Sequence, residues 1–124
     1  MGKAFYGNYE TETHNLDVLL LGNNQFETAV LALSSGESAQ TGSVLEMDYS
    51  NGSYKLAGAT PKGALGVLVS NEKYTQAGNI AVRVCISGQV NRDLLDWAGN
   101  APTDEQAAAL RDYAIFAKNV VKTN

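Results

Sequence analysis

The chain is poor in the residues that most often carry chemistry. Among its 124 residues there is one cysteine, Cys85, and one histidine, His14. A single cysteine excludes an internal disulfide framework, as expected of a chain folded in a reducing cytoplasm. A lone histidine leaves any metal site to be assembled from carboxylates or Cys85, and no ligand spacing suggests one. Cationic side chains are scarce too: nine Lys+Arg give a net charge of −4, and they form no cluster. A surface that grips a phosphate backbone needs a basic face, so nucleic acid is not an expected partner. Apolar runs are short, Val18 to Leu21 among them, and fall far below the length that crosses a bilayer. The opening Met1-Gly2-Lys3-Ala4-Phe5-Tyr6 leads into no apolar stretch of signal-peptide length. Tyr6 also stands where a myristoylation site needs Ser or Thr. Neither secretion nor a membrane partner is expected.

What the chain does contain is an ordinary globular composition, 44% hydrophobic and 18% charged, at a length that suits one domain. Residues 1–15 are polar with interspersed Phe5, Tyr6 and Tyr9 and show neither helical nor strand period. They read as an extended N-terminal arm, ahead of a single β-rich domain over 16–124. Two apolar segments, Leu16–Leu21 and Phe26–Leu33, are separated by Gly22-Asn23-Asn24, a turn-forming triplet. Ser34 to Thr41 is small and polar, hence a loop. Val44 to Ser50, then Asn51-Gly52, then Ser53 to Leu56 predicts a hairpin with a two-residue turn. That register sets Tyr49 opposite Tyr54, Asp48 opposite Lys55 and Met47 opposite Leu56. Ala64–Val69 is a further strand. From Ile80 the alternation is clean, with Ile80, Val82, Val84 and Ile86 on one face and Ala81, Arg83, Cys85 and Ser87 on the other, closed by Gly88. Thr103 as N-cap, with Gln106 completing a capping box, starts a short helix. Ile115 through Val121 reads as a last strand or extended tail. The fold class is mainly β with one short C-terminal α-helix.

A search for chemistry in this pattern returns structural explanations. His14 sits in the polar arm and reads as solvated. Cys85 lies mid-strand among small residues, as a buried structural thiol would, and a nucleophile would need a base beside it. Glu46 and Asp48 fall on the outer hairpin face, Asp93 and Asp96 precede Trp97, and Asp104 and Glu105 open the helix. Each has a role as surface charge, cross-strand partner or helix-dipole partner. Lys62-Gly63-Ala64-Leu65-Gly66 opens a strand and lacks the Gly-Lys-Ser/Thr ending of a phosphate loop. Asn51-Gly52-Ser53 matches a glycosylation sequon but reads as a turn. With no catalytic constellation, a small acidic β-domain is expected to work by contact. An aromatic arm able to order on a partner, or to add a strand to a sheet edge, fits that expectation.

The order of the segments resembles a known family. Gly42-Ser43-Val44-Leu45 leads into the hairpin, followed by Gly63-Ala64-Leu65-Gly66-Val67-Leu68, then by Val82 to Asn91, and finally by Ala109 to Ile115. This succession is similar to the head decoration proteins of tailed phages, the group related to the phage lambda head protein D. The likeness spans roughly residues 15 to 121, and the lead-in Asp17 to Gly22 shares it. Its weight lies in the shared order of strand-and-glycine patterns. Ala114 departs from the family pattern, which carries glycine before the isoleucine. The resemblance implies a non-enzymatic capsid cement protein with no cofactor, made in the host cytoplasm and carried on the outside of the virion. It further implies a homotrimer at three-fold or quasi-three-fold points, stabilising the shell, with the arm reaching onto the major capsid protein. By that analogy Phe5, Tyr6 and Tyr9 are capsid contacts. Trp97 is a candidate for the subunit interface or the shell-facing surface, with a core position an equal alternative. A β-rich adhesin that recognises a host surface is the competing reading; a small enzyme is a third.

Overall fold

The computed structural model describes residues 18–119; the arm over 1–15, and with it Phe5, Tyr6, Tyr9 and His14, lies outside them. Six strands and one helix follow in order: β1 Leu20–Leu33, β2 Val44–Met47, β3 Tyr54–Leu56, β4 Leu65–Val69, β5 Gly78–Asn91, a 3-10 turn at Arg92–Leu94, α1 Asp104–Arg111 and β6 Ile115–Lys118. The fold is mainly β with one short helix, as expected. The sheet order is β1-β3-β2-β4-β5-β6, and β1 also pairs with β5. The first five strands therefore close on themselves as a small barrel. Its seam is narrow: β3 meets β1 in parallel at the single pair Leu31↔Tyr54, reinforced by the Tyr54 hydroxyl donating to Glu27 Oε2 at 2.8 Å. β5 is the longest-reaching element. It pairs with β1 along its length, with β4 at residues 83–85, and with β6 at residues 88–91 where β4 has ended.

Two apolar clusters lie on opposite faces of the β2-β4-β5 sheet. Leu31, Leu45, Tyr54, Leu68, Val82 and Val84 fill the barrel. Val44, Leu65, Val67 and Cys85 point outward and are covered by Leu19, Leu95, Trp97, Leu110 and Ile115. A strand buried on both faces reads as a continuous apolar run rather than an alternation, which is why Leu65–Val69 carries no polar residue. The cleaner alternation from Ile80 to Ile86 is also real: Val82 and Val84 are in the barrel cluster and Ile80 and Ile86 pack against it. The helix starts as its sequence predicts. Thr103 Oγ1 accepts from Gln106 N at 3.1 Å while Gln106 Oε1 accepts from Thr103 N at 2.9 Å, a complete capping box.

Three expectations are corrected. Gly22-Asn23-Asn24 does not separate two strands; it is an irregularity inside one continuous strand, β1, where the register against β5 shifts. Asn24 replaces the lost ladder bonds, accepting from Gly22 N at 3.0 Å and donating to Gln89 O at 3.0 Å. Nor does Gly88 end its strand. It lets the bulge of β1 press against β5, since a Cβ there would sit 2.6 Å from Asn23 O, and its φ is +114°. The hairpin is present but its register is two residues away from the expected one: Leu45↔Leu56, Glu46↔Lys55 and Met47↔Tyr54. Gly52 takes φ +77° and Asn51 has no positive φ, so the two-residue turn cannot form. Instead Asp48 Oδ1 accepts from Ser50 N and Oγ, and Asn51 Oδ1 from Ser53 N and Oγ. Side chains that capture nearby backbone donors stabilise the longer loop. A shift of two keeps each residue on its face, so Leu45, Met47, Tyr54 and Leu56 still point inward, while Tyr49 leaves the ladder and is 66% exposed.

Backbone conformation also marks the helix exit. Ala114 has φ +62°, a left-handed geometry that a Cβ disfavours by roughly 1–2 kcal/mol. Its carbonyl accepts from Gly88 N at 2.9 Å, which holds the conformation in place as β6 begins. Two substitutions should therefore act in opposite directions in urea unfolding. Ala114→Gly should raise stability by about 0.5–1 kcal/mol after the entropy it adds to the unfolded chain. Gly88→Ala should lower it by about 2 kcal/mol or more, from strain and close contact together.

Candidate docking surface

The described chain begins beside Asn91, the last residue of β5. Asn91 N donates to Leu19 O at 2.8 Å and Asn91 Nδ2 donates to Val18 O at 3.3 Å. Its Oδ1 accepts from Asp93 N at 3.0 Å and so also caps the 3-10 turn. One buried side chain thus ties the incoming chain, the end of the central strand and the following turn together. On the opposite side of β5, Asn91 pairs with Lys118 of β6. Val18, Leu19 and Lys118 accordingly meet β5 at the same end of the sheet. Leu19 is buried in the outer cluster, but Val18 and Leu21 stand 43% and 38% exposed. Val18 and Leu21 thus form an apolar rim beside the polar clamp at Asn91. Sequence reasoning placed Asn91 only in a strand pattern; the signal that could have found it is an asparagine two residues before Asp93, the spacing of a side-chain-capped turn.

Trp97 takes the core alternative rather than the interface. It is 1% exposed, and its Nε1 donates to Gly58 O at 2.8 Å. On the other side of the same residue, Gly58 N donates to Glu46 Oε1 at 2.8 Å, and Lys62 N donates to Glu46 Oε2 at 3.0 Å. Glu46 and Trp97 hold the loop between β3 and β4 from both sides. Glu46, expected on the outer hairpin face as a surface charge or cross-strand partner, does stand opposite Lys55, but it is 5% exposed and its carboxylate accepts from backbone amides. Burial by itself would raise its carboxyl, but the Gly58, Lys62 and Gly63 amides and the Lys55 charge outweigh that and hold it below its ordinary value.

Two of the other carboxylates have local partners. Asp96 Oδ1 accepts from Gly99 N, and Asp104 pairs at 2.8 Å with Arg92, which also donates to Pro102 O. Asp104 is almost fully exposed, so this ion pair contributes little. Burial pushes the Cys85 thiol up despite bonds from Asn24 and to Ser87 O. A thiol held protonated in the core is a packing group. Burial and the Glu27 hydrogen bond likewise push the Tyr54 phenol up. Among the described residues no group of three His, Cys, Asp or Glu could hold a metal, and no helix is long and apolar enough to cross a membrane.

The family model of the bacteriophage lambda head decoration protein D matches residues 8–117. The chain belongs to that family. No curated protein matches it. It is therefore a phage head decoration protein, a structural protein that binds the phage capsid and resides in the virion. The match extends from within the arm through nearly all of β6. The glycine that the resemblance leads one to expect before Ile115 would suit the left-handed backbone that Ala114 adopts there.

Glu46 makes the stability of this decoration protein pH-dependent. A carboxyl whose folded pKa lies below its ordinary value contributes stability above that ordinary value, and the contribution is lost as pH falls through the folded pKa. Glu46→Gln should lower stability at neutral pH by about 1–3 kcal/mol. Denaturant titrations between neutral and acidic pH should show a flatter acid slope in the variant than in the parent.

Proposed function

We propose that the protein docks as a trimer on the outer surface of the mature head, at three-fold or quasi-three-fold sites, and stabilises the shell there. The arm over residues 1–15 grips the major capsid protein, and Phe5, Tyr6 and Tyr9 supply the apolar contacts. The observation that carries this reading is the family match across residues 8–117. The clamp at Asn91 supports it: Val18, the first described residue, is tied to the end of β5, and Val18 and Leu21 stand exposed beside it. An aromatic segment anchored at one end pays less entropy on ordering against a partner than a free peptide would.

The mechanism is binding linkage. A subunit that binds only the expanded shell stabilises that state by its differential affinity, about 2.7 kcal/mol per site at 100 times its Kd. Three arms on one trimer raise the effective concentration of the second and third contacts and add avidity that a single subunit lacks. No step requires a cofactor or a reacting group.

Co-sedimentation with expanded capsids of the same phage that lack the protein tests this reading. Full-length chain should pellet saturably with the shells, and a chain lacking residues 1–15 should pellet at least tenfold more weakly, roughly the loss of 1.4 kcal/mol or more per docking unit. Equal pelleting by both forms would remove the arm from the grip. Pelleting by neither, together with binding to host cells, would replace capsid docking with the adhesin reading.

A further inference from the structure

Asn51 is the one asparagine in the chain that is followed by glycine. It lies at the exposed tip of the hairpin between β2 and β3, and lines the cleft between that tip and β1 together with Glu27 and Ser53. Two donors converge on its carboxamide oxygen: Ser53 N at 2.9 Å and Ser53 Oγ at 2.7 Å. Both therefore aim at the atom on which negative charge develops when a nucleophile adds to Cγ. The adjoining nucleophile is Gly52 N. Gly52 brings no side chain to obstruct an attack, and nothing lies within 4 Å of where its Cβ would stand.

We propose that Asn51 is a self-modification site, which converts to aspartate and isoaspartate through a cyclic imide. Gly52 N gives its proton to solvent base and bonds to Asn51 Cγ. The Cγ–Nδ2 bond breaks and the nitrogen leaves as ammonia, taking a proton from water. A water molecule then opens the ring, at Cγ to give aspartate or at the main-chain carbonyl to give isoaspartate. The sum is one water consumed and one ammonia released, with no change of oxidation state. Gly52 N donates to Asp48 O at 2.7 Å in the folded hairpin, and this bond must open first. The reaction is thus slow beside folding, and its extent records the age of the folded chain. Either product adds a negative charge across the cleft from Glu27, next to the barrel seam. Isoaspartate also lengthens the backbone inside the loop and displaces the oxygen that Ser53 holds.

Full-length protein aged at mildly alkaline pH, digested and mapped by mass spectrometry, tests the proposal. The peptide containing Asn51 should gain the mass of an amide-to-acid conversion and split into two isomers, ahead of every peptide carrying another asparagine. Ser53→Ala, which removes one of the two donors, should slow conversion roughly 2- to 10-fold, while Ser53→Thr, which keeps the hydroxyl, should convert at the parent rate. Circular dichroism before ageing establishes that each variant is folded. The proposal is overturned if Asn51 stays intact while the same chain in urea converts, or if Ser53→Ala converts at the parent rate.

Discussion

The constraint on which this structure depends is that the β2-β4-β5 sheet is apolar on both faces. One face is satisfied by closing the sheet into a barrel around Leu31, Leu45, Leu68 and Val84. The other would face water, and burying it takes everything that follows β5: Leu95 and Trp97 from the loop, Leu110 from α1 and Ile115 from β6. Each fully buried Leu, Ile or Val contributes roughly 1.5–3 kcal/mol, so neither layer can be left open in a domain this small. The C-terminal part of the chain is thus a lid on the barrel, and β5 reaches far enough to carry both.

Polar groups drawn inside by this arrangement are answered mostly by backbone. Asn24 bridges the bulge to Gln89, Asn91 ties Val18 to the turn at Asp93, and Glu46 collects the amides of Gly58 and Lys62. Leaving any of these donors or acceptors unmatched would cost more than the bond itself contributes, about 1–3 kcal/mol each. The fold therefore owes little to ion pairs. Arg83 illustrates the same economy of charge: its guanidinium lies 3.8 Å from the centre of the Phe26 ring, over an aromatic face rather than a carboxylate.

A closed barrel whose Asn24, Glu46 and Asn91 side chains are hydrogen-bonded suits a protein whose work is contact. The head decoration family supplies the role, and the structure supplies a closed barrel with its outer face covered. The clamp at Asn91 fixes Val18 and Leu19 at the edge of the outer cluster, with Leu19 buried in it. The exposed hairpin tip, with Tyr49 and Asn51, is outside both clusters.

Much of this was legible in the chain because it depends on near neighbours. The alternation from Ile80 to Ile86, the apolar run Leu65–Val69 and the capping box at Thr103 and Gln106 are local patterns with one stable outcome each. The order of these segments also sufficed to point to the family. What tertiary structure decided are the competitions between local options. Gly22-Asn23-Asn24 has the chemistry of a turn and became a bulge because Gly88, distant in sequence, leaves room for it. Asn51-Gly52 favours a two-residue turn, but Asp48 and Ser53 captured the loop, and Tyr54 had to meet Leu31 for the barrel to close. Glu46 reads as an outer-face charge until a loop folds over that face, and Trp97 could have faced a partner until Gly58 supplied a carbonyl for its indole. Such outcomes turn on which groups meet across the fold, and spacing along the chain does not contain that information.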